Sequence, residues 1–71
     1  MSIYSEEHKN IIKRLKKARF ESGLDQADVA KKLGKSQSYI SKIELGQRRI
    51  EIIVLKQFAR IYNKSLDYFL K

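Results

Sequence analysis

Two short helical segments lie back to back between Gly23 and Gly46, and neither can stand alone. The first starts at Asp25, an N-cap with Asp28 three residues on in the pattern of a capping box; it carries Val29, Ala30 and Leu33 inward and stops at Gly34. The second starts at Ser36, has Ile40 and Ile43 as its apolar pair, and is closed by Gly46 after Leu45. Each is only about two turns long, below the length at which an isolated helix holds in water. Two such helices joined by a tight turn containing Gly must therefore be packed against something else.

The flanking segments supply the partners. Before the pair, Ser5 is an N-cap with Glu6 and Glu7 in the first turn, Ile11, Leu15, Ala18 and Ser22 share one face, and Gly23 ends the helix. After it, Ile52, Leu55, Phe58, Ala59 and Tyr62 form an inward stripe, Asn63 stands where a left-handed cap is needed, and Ser65 caps a last turn holding Leu66 and Phe69. Apolar residues recur at threes and fours and proline is absent, so the expected fold class is all-α, a compact five-helix bundle. With 71 residues and no linker-like tract there is room for one domain, read as residues 5–71 behind a flexible lead at residues 1–4.

Sixteen Lys and Arg against eight Asp and Glu give a net charge of +8, which attracts polyanions, either nucleic acid or an anionic membrane surface. Cysteine is absent and there is a single His, placed near the N-terminal end, so neither a metal nor a cofactor is expected. The scattered carboxylates offer no acid and base pair at a useful spacing, which argues against an enzyme. No apolar run approaches the roughly 20 residues of a membrane span, and the first seven residues lack the apolar core of a signal peptide, so a soluble, cytoplasmic protein is expected. The first helix carries Lys9, Lys13, Lys16 and Lys17, as a membrane-surface helix would, but its apolar face is narrow and committed to a core.

Stepping about 100° per residue along the third helix sends Ile40 and Ile43 to the core and Ser38, Ser41 and Lys42 away from it, with Gln37 at the N-terminal end of the outward face. Gln can bond adenine bidentately, Ser suits several bases and Lys prefers guanine, so this face matches the major groove of DNA. An ordinary solvated helix face would look similar. Gln26 opens the second helix, where its side chain and the exposed N–H groups make a natural phosphate clamp. Lys35 in the turn, with Gln47, Arg48 and Arg49 after the third helix, would grip phosphates on either side. Ala30 is small where the second and third helices cross.

The stretch Gly23-Leu24-Asp25-Gln26-Ala27-Asp28-Val29-Ala30-Lys31-Lys32-Leu33-Gly34, with Ser36-Gln37-Ser38-Tyr39-Ile40-Ser41-Lys42-Ile43-Glu44-Leu45-Gly46, resembles the Cro and repressor type (Xre, lambda-repressor-like) of helix-turn-helix regulators. The resemblance extends over about residues 11 to 70, taking in Arg19, Leu55, Ala59, Tyr62, Ser65, Leu66 and Phe69. It implies that Gln37 and Ser38 read bases with Lys42 as a third reader, that Gln26 holds phosphate, and that Arg19 and Glu44 form a structural salt bridge. It further implies a transcription regulator binding double-stranded DNA as a homodimer, with no small-molecule ligand. An antitoxin, or another module whose main partner is a protein, keeps the same fold; it would need a dedicated extension, and the chain ends soon after the last bundle helix.

The sequence departs from the family after the third helix. Where a Pro and then a capping Ser or Thr are common, this chain reads Arg49-Ile50-Glu51-Ile52-Ile53-Val54, leaving the cap of the fourth helix and the orientation of Arg48 and Arg49 open. Val54, Phe58 and Ile61 make a second apolar flank, expected to form a subunit interface with Leu66, Tyr68 or Leu70; packing under the C-terminal turn is the alternative. Phe20 falls among lysines on the opposite face of the first helix and has no account at this level.

Overall fold

In the computed structural model residues 5–71 are described, and the lead expected over residues 1–4 lies outside them. The chain forms α1 (Glu6–Glu21), α2 (Gln26–Leu33), α3 (Gln37–Glu44), α4 (Ile52–Ile61) and α5 (Leu66–Leu70), with no strand among the described residues. Side chains start four of these helices. Ser5, Ser36 and Ser65 each accept the N–H three residues on, from His8 at 3.0 Å, Tyr39 at 3.1 Å and Tyr68 at 3.2 Å. The capping box of α2 closes both ways, Asp28 N–H to Asp25 Oδ1 at 2.8 Å and Asp25 N–H to Asp28 Oδ2 at 3.1 Å.

The turn between α2 and α3 depends on Gly34, whose φ of 71° is in the left-handed region, and the next N–H, that of Lys35, donates back to the Ala30 carbonyl at 2.9 Å. Asn63 has the same backbone after α4, with φ 55°. Ser22 does not belong to the core stripe of α1 as expected. It is exposed, caps the helix end and donates its hydroxyl to the Ala18 carbonyl at 2.8 Å.

The core runs through all five helices: Ile11, Leu15, Ala18, Val29, Ala30, Ile40, Ile43, Val54, Leu55, Phe58, Ala59, Tyr62 and Phe69 are buried in one cluster. Within it α2 packs chiefly on α3, α1 on α5 and α3, and α4 on α2 and α5. The buried face of α1 also takes in Ile12 and His8, so the single histidine is a core residue.

Two corrections concern α4. Ile52 was expected inside, yet it is 54% exposed, and Val54 is buried instead. On the helical wheel the two lie about equally far, some 80°, on either side of the Leu55–Tyr62 line, so periodicity alone cannot choose between them. The second correction is to the expected subunit flank. Val54 and Phe58 are already spent in the core of the single chain, Phe58 being only 1% exposed, and neither presents surface to a partner. Ile61, Leu66 and Tyr68 are half-buried against the same cluster, leaving Leu70 as the exposed member of that set.

Candidate nucleic-acid interface

Gln37, Ser38 and Lys42 are exposed on α3 and Ser41 is half-buried, while Ile40 and Ile43 on the other side are fully buried. The helix therefore presents a polar edge from its first residue, held at a fixed angle by the core behind it. Lys35, Gln47, Arg48 and Arg49 are all exposed in the segments flanking α3. Among the described residues none of these four takes part in an ion pair, so their donors are available to an external anion.

Behind the polar edge lies a buried polar network. The Arg19 guanidinium donates from Nε to Glu44 Oε2 at 2.8 Å and from NH2 to Glu44 Oε1 at 3.0 Å, a two-pronged pair linking α1 to the end of α3. Its remaining arm donates to the Leu24 carbonyl at 3.1 Å. Both side chains are nearly sealed from solvent, 10% and 6% exposed, and the bonds to Glu44 raise the pKa of Arg19, keeping it charged. Gln26 joins this network: its Nε2 donates to Glu44 Oε1 at 3.1 Å. One N–H of that amide thus fixes the side chain at the start of α2 and one remains free to donate.

Phe20 acquires an account here. Its ring, though 69% exposed, lies against the Arg19 guanidinium at 4.6 Å, covering the ion pair from the outside. The Gln26 bond was not visible in the sequence, because it joins elements whose relative placement only the fold sets, whereas Phe20 follows Arg19 on the same helix and its contact depends on the conformations of the two side chains. Tyr39 is a third residue that sequence reasoning passed over. Lys35 Nζ lies 5.1 Å and Arg48 Cζ 4.5 Å from its ring centroid. The four-residue spacing of Lys35 and Tyr39 was a usable signal for the first contact; nothing local announced the second.

Among the described residues no group of His, Cys, Asp and Glu is placed to hold a metal ion, and no helix is long and apolar enough to cross a membrane. A helix-turn-helix family model matches residues 15–69. A HTH-type transcriptional regulator, PrpR of Mycobacterium tuberculosis (strain ATCC 25618 / H37Rv), is 39% identical over 56 residues, which are 79% of this chain and 12% of that much longer protein. The matched span takes in α2, its turn, α3 and the helices that pack on them, and the chain belongs to the Cro/repressor-type helix-turn-helix family of DNA-binding domains.

Proposed function

We propose that this protein is a sequence-specific transcription regulator that binds double-stranded DNA as a homodimer, with α3 in the major groove. The observation that carries the reading is the exposed edge of α3, Gln37, Ser38 and Lys42, flanked on both sides by cations without carboxylate partners. Gln37, Ser38, Ser41 and Lys42 read base edges. Gln26, Lys35, Gln47, Arg48 and Arg49 hold phosphates and set the register, a role that carries no sequence information. Arg19 and Glu44 keep α3 at its angle.

Two copies place their recognition helices in successive major grooves, about 34 Å apart, on a partly palindromic site. With Val54 and Phe58 committed to the core, the apolar side chains of α4 and α5 that are open to a second copy are Leu70 and the exposed edges of Ile61, Leu66 and Tyr68, with Ile52 and Ile53 at the start of α4, 54% and 66% exposed. Regulation blocks transcription by occupying a promoter or raises it by contacting polymerase, without a cofactor.

The test is selection of duplexes from a random library near physiological salt, repeated with Gln37→Ala and Arg49→Ala. Salt must be held there because a protein of charge +8 binds any DNA when salt is low. The expected result is a twofold-symmetric motif. Gln37→Ala relaxes it at one or two positions, about 1–3 kcal/mol of discrimination, while Arg49→Ala weakens all sequences alike and reduces the salt slope by about one unit. No enrichment, with only salt-sensitive binding, would overturn sequence reading and favour a module whose main partner is a protein.

A further inference from the structure

Tyr39 occupies the third position of α3, where its backbone N–H is taken by Ser36 Oγ at 3.1 Å. Its ring is half-buried and packed against the core cluster, so its plane is fixed from behind. Two cations converge on it from different parts of the chain. Lys35, in the turn before α3, brings Nζ to 5.1 Å from the centroid; Arg48, in the segment after α3, folds back to bring Cζ to 4.5 Å. Cations near a ring face are attracted by its quadrupole. The two like charges nevertheless repel one another, and among the described residues no carboxylate pairs with either. Both cations belong to exposed residues and lack a carboxylate partner, so each remains able to bind an external anion.

We infer that Tyr39 is a positioning residue, its ring holding Lys35 and Arg48 together as one cationic unit that grips a DNA backbone phosphate beside the first turn of α3. This rests on the DNA-binding reading above and adds to it a residue that need touch neither base nor phosphate. The unit sits beside Gln37 and Ser38, so the phosphate it holds fixes the depth at which those side chains meet the base edges. The ring also explains how the exposed segment after α3 is given a defined place at its N-terminal turn: Arg48 is pinned there by its side chain.

The experiment compares Tyr39→Phe, which keeps the ring and loses the hydroxyl, with Tyr39→Leu, which keeps apolar bulk and loses the ring. In the free protein, NMR should show upfield ring-current shifts for the Arg48 Nε–H and the Lys35 ε-methylene, kept in Tyr39→Phe and lost in Tyr39→Leu. On duplex DNA, Tyr39→Leu should weaken the selected site and random sequence in the same ratio, roughly three- to tenfold, and lower the salt slope by about one unit. Tyr39→Phe should stay within about twofold of the parent. In a Lys35→Gln, Arg48→Gln background, Tyr39→Leu should have no further effect on affinity, which separates positioning from a general loss of fold.

An unchanged salt slope in Tyr39→Leu, an equal loss in Tyr39→Phe, or a full additional loss in the double-Gln background would each overturn the inference. Absent ring-current shifts would overturn the clamp itself, whatever the DNA result. Should the parent protein bind no duplex at all, the DNA reading falls and the phosphate role with it, while the ring-current shifts remain; the two failures are therefore told apart.

Discussion

The helix-turn-helix unit and the segment that follows it, residues 47–53, are built in opposite ways. From Asp25 to Glu44 each helix start has a side-chain cap, the turn has a left-handed glycine, and the far end is bolted to α1 by the Arg19–Glu44 pair. From residue 47 to 53 these devices are missing: Glu51, at the N-cap of α4, makes no capping bond, and Gln47, Arg48, Arg49, Ile52 and Ile53 all face solvent. The part that must present side chains at a fixed angle is over-determined by local and long-range contacts together. The part that carries phosphate donors is held mainly by what its side chains touch, as Arg48 is by Tyr39. Geometry tolerances explain the difference: base edges demand placement in a fixed pattern, whereas a flexible cation can follow a phosphate.

The contrast breaks most severely at Arg19. Arg19→Ala removes one partner of a buried ion pair and strands Glu44, which should cost about 3–5 kcal/mol in urea unfolding. Replacing both partners by apolar residues, Arg19→Met with Glu44→Leu, should recover much of that, because no buried charge is left unpaired. The double variant should still bind DNA less well than the parent, since Gln26 loses the acceptor that fixes its amide. A double variant as unstable as Arg19→Ala would show that the cost lies in lost packing and not in the stranded charge.

The caps give a smaller effect with a sign that differs between the two regions. Ser36→Ala deletes the bond to the Tyr39 N–H and should destabilise by about 1 kcal/mol. Glu51→Ser installs a cap where α4 has none and should stabilise by up to about 1 kcal/mol, read as a rise in the denaturation midpoint at constant slope. If Glu51→Ser were as harmful as Ser36→Ala, the start of α4 would be specified by Glu51 in some other way and the contrast would fail there.

The same division governs what could be read from the sequence. The caps Ser5, Asp25, Ser36 and Ser65, and the end signals Gly34 and Asn63, are local chemistry, and the structure has each where the pattern put it. The family pattern also pointed to the chain's relatives, since its residues sit at those same local positions. What escaped depends on distant packing. Ile52 and Val54 are interchangeable on the wheel, so only the placement of neighbouring helices could bury one and expose the other. Phe58 fitted an outer flank as readily as a core, and Gln26 gave no sign that its amide would meet Glu44, eighteen residues on.

The finest test uses His8, which lies on α1 one turn before Ile12, the residue that reaches Gly46. Arg19 meets Glu44, Ile12 comes within 3.4 Å of where a side chain on Gly46 would begin, and His8 is one turn further along the same buried face. Its Nε2 is buried without a hydrogen-bond partner, and burial lowers its pKa below the ordinary 6.5. The unfolded chain therefore takes up the proton more readily than the folded one. Stability from this group is complete above 6.5 and is lost as pH falls from 6.5 toward the lowered folded-state value. The melting temperature should thus decline gently as pH falls below about 6.5, and His8→Leu should flatten that decline. Amide exchange over the same range should quicken at residues 46–52 before it does at residues 25–44, because protonation loosens the end of α1 that carries His8 and Ile12, which reaches Gly46, and leaves the Arg19–Glu44 bolt at the other end intact. Equal quickening in both stretches would mean that the two regions open as one unit and that their different construction does not make them independently stable.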